Sequence, residues 1–255
     1  MKTLLRSAGA STALLIASAS PAGADEVRLL SAAAMQTVFK EIAGEFERAS
    51  GHKLILAYGT IGGVNERVLR GEAADVVIGS TLSMPALVKA GKIRVESQVT
   101  VCRTGIGLVV PAGSAKPPMT SVEDFKRAVL AARVLVYADP VRGGAAGVHI
   151  GRVLDQLALA DRLKSSIKLG AGGDVTEVTV SQGDGALGIT QISEIVGKPT
   201  AQYVGPIPDA LQNITVFVVG IPPGSPRADA AKALIAFLKS PVAAAAIRAK
   251  GMQVD

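Results

Sequence analysis

Two hydrophobic rhythms alternate along this chain. Short apolar runs have the length of buried strands: Val27-Arg28-Leu29-Leu30, Lys53 to Ala57, Asp75 to Gly79, Val134 to Ala138, Ile167 to Leu169 and Gly185 to Ile189. Between them the apolar positions fall at helical spacing. Val38, Phe39, Ile42 and Phe46 share one face of a segment that ends near Gly51. Val64 and Val68 lie one turn apart, with Leu69 beside them. A helix of about ten residues is predicted from Ser121, carrying Val122 and Phe125, with Glu123 and Asp124 in its first turn. Another carries Val148, Val153, Leu154 and Leu157, and Asp174 is expected to cap a helix from Val175 to Gln182. The alternation is that of βαβ units and a parallel α/β protein.

The rhythm changes at two places. Val99 to Val110 is a long β-rich run closed by Pro111, and Ile214 to Val219 is a second, preceded by Gly205-Pro206-Ile207-Pro208. Both are candidate crossings between two lobes. The tail, Ala228 to Lys239 and Pro241 to Lys250, reads as two amphipathic helices broken by Pro241 and returning to the first lobe. The expected division is residues 25–102 with 214–255 as lobe I and 103–213 as lobe II.

The first 24 residues stand apart. Lys2 and Arg6 make a basic start, Ala8 through Ala19 is a short apolar stretch, and Ala22-Gly23-Ala24 has the form of a cleavage site. A cleaved signal peptide and a periplasmic mature chain from Asp25 follow, without a lipid-bearing Cys near the site. After Ala24 no apolar run approaches membrane-spanning length. The formal net charge is +6, or +4 once Lys2 and Arg6 are removed, spread without long basic runs. Aromatics make up 3% and Trp is absent, so stacking platforms for nucleic acid are missing and a small anion is the better partner. The single Cys102 allows no internal disulfide and sits in an apolar run, as a buried inert thiol would. His52 and His149 have no metal-ligand spacing, so neither a metal nor a cofactor is expected.

Four junctions share one shape, an apolar strand, a turn of small residues and a helix start. They are Ser31 to Met35, Tyr58 to Gly63, Arg142 to Gly147, and Gly172 to Val175. Glycines let the backbone approach a ligand, and the first N–H groups of each helix point outward with the positive end of the dipole behind them. Thr60 adds a hydroxyl. In open α/β sheets such turns lie at the carboxyl ends of strands, where ligands bind. Four of them facing one cleft would surround an anion with main-chain donors.

The same residues carry a resemblance. Val27 to Met35 resembles the opening of the molybdate-binding periplasmic protein family, and Ala73 to Ser80 is similar to that family's "ADLFIS" strand. Asp139-Pro140 with Ala146-Gly147 resembles its "DP…AG" loop. Asp174-Val175, Leu187-Gly188-Ile189 and the tail from Phe237 follow in the family's order over essentially the whole mature chain. The resemblance implies a type II periplasmic binding protein, with two α/β lobes, a two-strand hinge, a central cleft that closes on an anion, and delivery to an ABC permease in the inner membrane. It gives no reason to expect an obligate oligomer, and a monomer is expected.

Carried over residue by residue, the family's site falls on Ala33, Ala34 and Met35, on Gly59 and Thr60, on the main chain of Ala145 and Ala146, on Val175 and on Gln191. It also departs from the family. Met35 stands where the family has a Ser in an "AAAS" turn, Gln191 where it has a Tyr, and Arg142 is an addition. Losing two charge-assisted donors at roughly 1.5–3 kcal/mol each would cost about 3–6 kcal/mol, on the order of 10² to 10⁴ in affinity. Met35 suits an organic ligand surface and Arg142 a carboxylate clamp. The expectation is therefore an extracytoplasmic receptor for a small organic anion, with a molybdate or tungstate receptor or a ligand-sensing subunit as alternatives. An enzyme is not expected, because no nucleophile–base pair is in evidence and Asp139 and Glu177 are the only carboxylates placed near the cleft.

Overall fold

The strand-turn-helix rhythm folds into two sheets covered by helices. The structure, a computed structural model, describes residues 25–254, so the expected signal peptide lies outside the described residues. β1 (Glu26–Ala32) leads through a 3-10 turn, Ala33–Met35, into α1 (Gln36–Ser50). β2 (Lys53–Gly59), α2 (Ile61–Leu69), β3 (Val76–Ser80) and α3 (Met84–Lys89) complete the first α/β units. The long run from Val99 is two strands, β4 (Val99–Thr104) and β5 (Ile106–Pro111), broken at Gly105. Then come α4 (Val122–Ala131), β6 (Val134–Ala138), α5 (Ala145–Gln156), α6 (Ala160–Leu163), β7 (Ile167–Gly170), α7 (Val175–Ser181) and β8 (Ala186–Gln191). A 3-10 turn, Ile192–Glu194, follows, and β9 (Ala201–Pro206) pairs in a stretch for which no strand was expected. β10 (Thr215–Gly220), α8 (Ala228–Leu238), α9 (Pro241–Ala249) and β11 (Gln253–Val254) close the chain.

The strands divide into a six-stranded sheet, in order β11-β4-β10-β3-β1-β2, and a five-stranded sheet, in order β7-β6-β8-β5-β9. β1 pairs in parallel with β2 and β3, and β6 with β7 and β8, whereas β4, β5, β9, β10 and β11 pair antiparallel. The chain passes between the sheets at Gly105 and again over residues 207–214. Gln212 ties the two passages together. Its Oε1 accepts from Ile106 N at 2.7 Å and its Nε2 donates to Ile106 O at 3.0 Å. Next to it, Gln191 Nε2 donates to Thr215 Oγ1 at 2.9 Å, joining the end of β8 to the start of β10.

Each sheet is buried on both faces. α1 lays Val38, Phe39, Ile42 and Phe46 against Leu29, Ile78 and Phe217, and the tail helices add Leu234, Leu238 and Ile247 to the same core. α2 and α3 cover the other face through Val64, Val68, Met84 and Leu87. In the second sheet Phe125, Ile150 and Leu154 pack on Leu108, Leu135 and Ile189. Ser240 caps α9, accepting from Ala243 N, and Pro241 occupies its first turn. Among the described residues no single helix is long and apolar enough to cross a membrane.

Candidate functional site

β1, β2, β6 and β8 all end at the interface between the two sheets. There Ala32, Gly59, Ala138 and Gln191 meet Ala33, Ala34, Ala145, Ala146 and the Gly172-Gly173 turn around one cavity. The 3-10 turn at Ala33 and helix α5 begin without a side-chain cap, behind Ala32 and Gly144 respectively. A helix leaves its first N–H groups without partners inside the helix. These two starts, one from each sheet, therefore aim main-chain donors and positive dipole ends at a shared space. No Lys, Arg or His lines the cavity among the described residues. The space is small, about 30 Å³ open to water-sized molecules, enough for roughly two or three of them.

Contacts between the lobes hold its two sides together. Gly62 N donates to Gly143 O at 3.0 Å, and Thr60 Oγ1 donates to Arg142 O. Thr37 Oγ1, on α1, donates to Ser193 O at 3.0 Å on the opposite side. Gly62 and Gly143 are close because neither has a side chain: an ideal Cβ on Gly62 would stand 2.9 Å from Gly143 Cα. At Gly173 a Cβ would stand 2.9 Å from that of Ala33.

Several site residues predicted from sequence take other places. Met35 is in the core, 0% exposed, with its sulfur 3.6 Å from Cys102 Sγ. It is a packing residue and does not present an organic surface to the cleft. Burial pushes the Cys102 thiol up to about 12, in keeping with an inert sulfur. Replacing Met35 with leucine is expected to leave ligand affinity unchanged and to cost less than about 1.5 kcal/mol of stability. A melting curve and a titration together check both halves of that statement.

Arg142 is also placed elsewhere. Its Nε donates to Ala171 O at 2.8 Å, stapling two loops of the same lobe, and its guanidinium does not line the cavity. Thr60 lines the cavity, but its single proton goes to Arg142 O, while its Oγ1 accepts from Gly63 N at 3.0 Å as the cap of α2. The Val175 side chain is buried and its N–H turns back to Gly172 O at 3.3 Å. Asp174 does not cap α7; its Oδ1 accepts from Gly172 N at 2.9 Å and holds the glycine turn. Ala33, Ala34, Gly59, Ala145, Ala146 and Gln191 are brought together at the cavity.

Sequence reasoning missed Glu194 and its partner Thr190. Glu194 lines the cavity and is 8% exposed. The Thr190 hydroxyl donates to Oε2, and Thr176 Oγ1 donates to the Glu194 main-chain carbonyl at 2.8 Å, fixing the turn. Burial pushes the Glu194 carboxyl up to about 7, opposed by the Thr190 hydroxyl, Lys198 and the Gln191 main-chain N–H and reinforced by Glu177. The two carboxylates expected near the cleft are occupied otherwise. Asp139 Oδ1 accepts from Val141 N in its own turn, and Glu177 is paired with Lys198 at 2.6 Å on the surface.

Known proteins share this architecture. The chain is 29% identical over 249 residues to an aconitate isomerase of Pseudomonas sp, covering 94% of both chains. It is 32% identical over 239 residues to a molybdate-binding protein of Azotobacter vinelandii, covering 90% of both. The solved periplasmic molybdate-binding protein of Azotobacter vinelandii superposes with a TM-score of 0.74 at 22% identity, covering 90% of this chain and 99% of that one. That likeness establishes the type II periplasmic binding protein fold. The family model described as bacterial extracellular solute-binding protein matches residues 27–253. With two lobes, paired crossings and a cleft at the carboxyl ends of its strands, the chain belongs to the bacterial extracellular solute-binding protein family.

Proposed function

We propose that this chain captures a small carboxylate between its lobes and delivers it to an ABC permease. The observation that carries the reading is the donor inventory of the cavity. Both hydroxyls on its wall are spent, Thr60 on Arg142 O and Thr190 on Glu194. One proton of the Gln191 amide is spent on Thr215. What remains is chiefly main-chain N–H at two uncapped starts, surrounded by alanine methyl groups. A tetrahedral oxyanion asks for donors at four oxygens. A carboxylate asks for them at two and presents carbon elsewhere, which the methyl wall accommodates. On this reading the protein does no chemistry. It acts as a periplasmic monomer, exported by the basic and apolar leader that ends at Ala24.

Thermal melting with molybdate, tungstate, sulfate, phosphate and mono-, di- and tricarboxylates tests the proposal. A carboxylate at about 100 times its Kd should stabilise by roughly 2.7 kcal/mol, a rise of about 5–10 °C for this size of chain. A rise with molybdate or tungstate alone would overturn the carboxylate assignment.

Glu194 favours a second reading. A buried carboxyl that titrates near neutrality, inside an anion cleft, is placed to take a proton from one carbon of a bound unsaturated carboxylate and return it to another. The likeness to a relative named aconitate isomerase supports that reaction class. Proton NMR of cis- and trans-aconitate with the protein in D2O separates the readings. Interconversion with deuterium uptake supports an isomerase, and unchanged spectra leave capture alone.

A further inference from the structure

Among the described residues no cationic side chain lines this cavity. The nearest charges around Glu194 are Lys198, whose ammonium is held by Glu177 at 2.6 Å, and Glu177 itself. The elements packed on the Glu194 turn add only neutral groups to the cavity wall: Thr190 and Gln191 from β8, Gly173 from the glycine turn and Ala33 from the opposite lobe. Glu194 Oε1 lies 3.7 Å from where a Cβ on Gly173 would stand. That places the carboxyl at the point where the two lobes come together.

We propose that Glu194 is a ligand contact that works in its protonated form, donating its O–H to the bound carboxylate, so that capture by the protein with this carboxyl ionised takes up one proton. The proton comes from solvent and returns there on release. No bond to carbon changes.

The proposal rests on the capture reading and adds a requirement to it. Two carboxylates facing one another in a closed space do not both stay ionised, and one of them keeps a proton that the pair shares. The Thr190 hydroxyl donates to Oε2 and so leaves the carboxyl proton free to reside on the other oxygen or to be donated onward. The carboxyl already holds its proton more tightly than an ordinary glutamate does, because burial penalises the ion. A bound carboxylate adds to that preference. Affinity should then fall as pH rises, by about tenfold per unit once the free carboxyl is ionised.

Calorimetric titration with L-lactate, succinate and citrate between pH 6 and 9, in buffers of differing ionisation enthalpy, reads both quantities. The expected result is about one proton taken up per ligand at pH 8 and a Kd that climbs with pH. In Glu194→Gln an amide N–H stands in for the O–H, so the pH slope should flatten and proton uptake should vanish. A wild-type Kd that is constant from pH 6 to 9, or no proton uptake at pH 8, overturns the proposal while leaving capture intact. So does a Glu194→Gln variant that keeps the wild-type slope. If none of the three acids binds at pH 6, the capture reading itself has failed. Because the wild-type titration decides alone, a variant that fails to fold would not leave the question open.

Discussion

Glu194→Gln is expected to raise the melting temperature of the ligand-free chain at pH 8 by about 6–12 °C and to leave it unchanged at pH 4. The sign follows from the direction of the shift. The folded chain binds the Glu194 proton more tightly than the unfolded chain does, with the carboxyl moved from 4.5 to about 7. The stabilising effect of protonation is present in full below the unfolded value and is lost as pH rises through the folded one. That difference amounts to about 3 kcal/mol of burial penalty on the ionised protein. The residue is 8% exposed, so solvent screening removes little of it. Glutamine keeps the shape without the charge, and a chain of this size gains about 2–4 °C per kcal/mol. Melting curves of the two proteins from pH 4 to 9 should diverge between pH 4.5 and 7 and run parallel above. Curves that coincide at pH 8 would mean that the ionised carboxyl is compensated.

Gly62→Val should weaken carboxylate capture by about 10- to 100-fold without weakening the ligand-free fold. Gly62 is the second residue of α2, where a side chain suits the helix. The atoms that its Cβ would meet belong to the other lobe: Gly143 Cα at 2.9 Å, with Arg142 O and Gly143 O at 3.3 Å. All three are main chain and have no rotamer to change. The lobes must stand further apart, which loses the Gly62 N–H to Gly143 O bond and costs about 1.4–3 kcal/mol in the closed state only. A titration, with a melting curve of the ligand-free variant as control, checks this. Equal affinity for wild type and variant would show that capture does not need the lobes to meet as they do here.

The alternation of strand and helix was legible because buried parallel strands and amphipathic helices leave distinct hydrophobic periods. β9 was not, because Ala201–Pro206 is half-buried and ends in glycine and proline. In the site, the small-residue junctions announced themselves by composition, and they do gather at one cavity. At Met35 the family motif points to the cleft and the local spacing points to the core. Met35, Val38, Phe39 and Ile42 are spaced as one core face, and the 3-10 turn sends Met35 into it. Thr60 and Arg142 are a different case. Their partners, Arg142 O and Ala171 O, are main-chain atoms 82 and 29 residues away, invisible to any local pattern. Glu194 looked like an ordinary acid in a short turn. Its burial comes from Thr190 and Thr176 and from the closing of Ala33 over Gly173, which only the tertiary structure brings together.

The wall of the cavity also sets how readily its selectivity can change over evolutionary time. Six of its residues are alanines and five are glycines, so outside Glu194 and its neighbours on β8 truncating side chains would erase little. Change must come by addition. A single base change turns an alanine codon into one for serine, and at Ala33, Ala34 or Ala145 that would plant a new hydroxyl in the cavity without altering a helix start. Such a wall is a neutral starting surface, from which receptors for differently shaped anions lie one substitution apart.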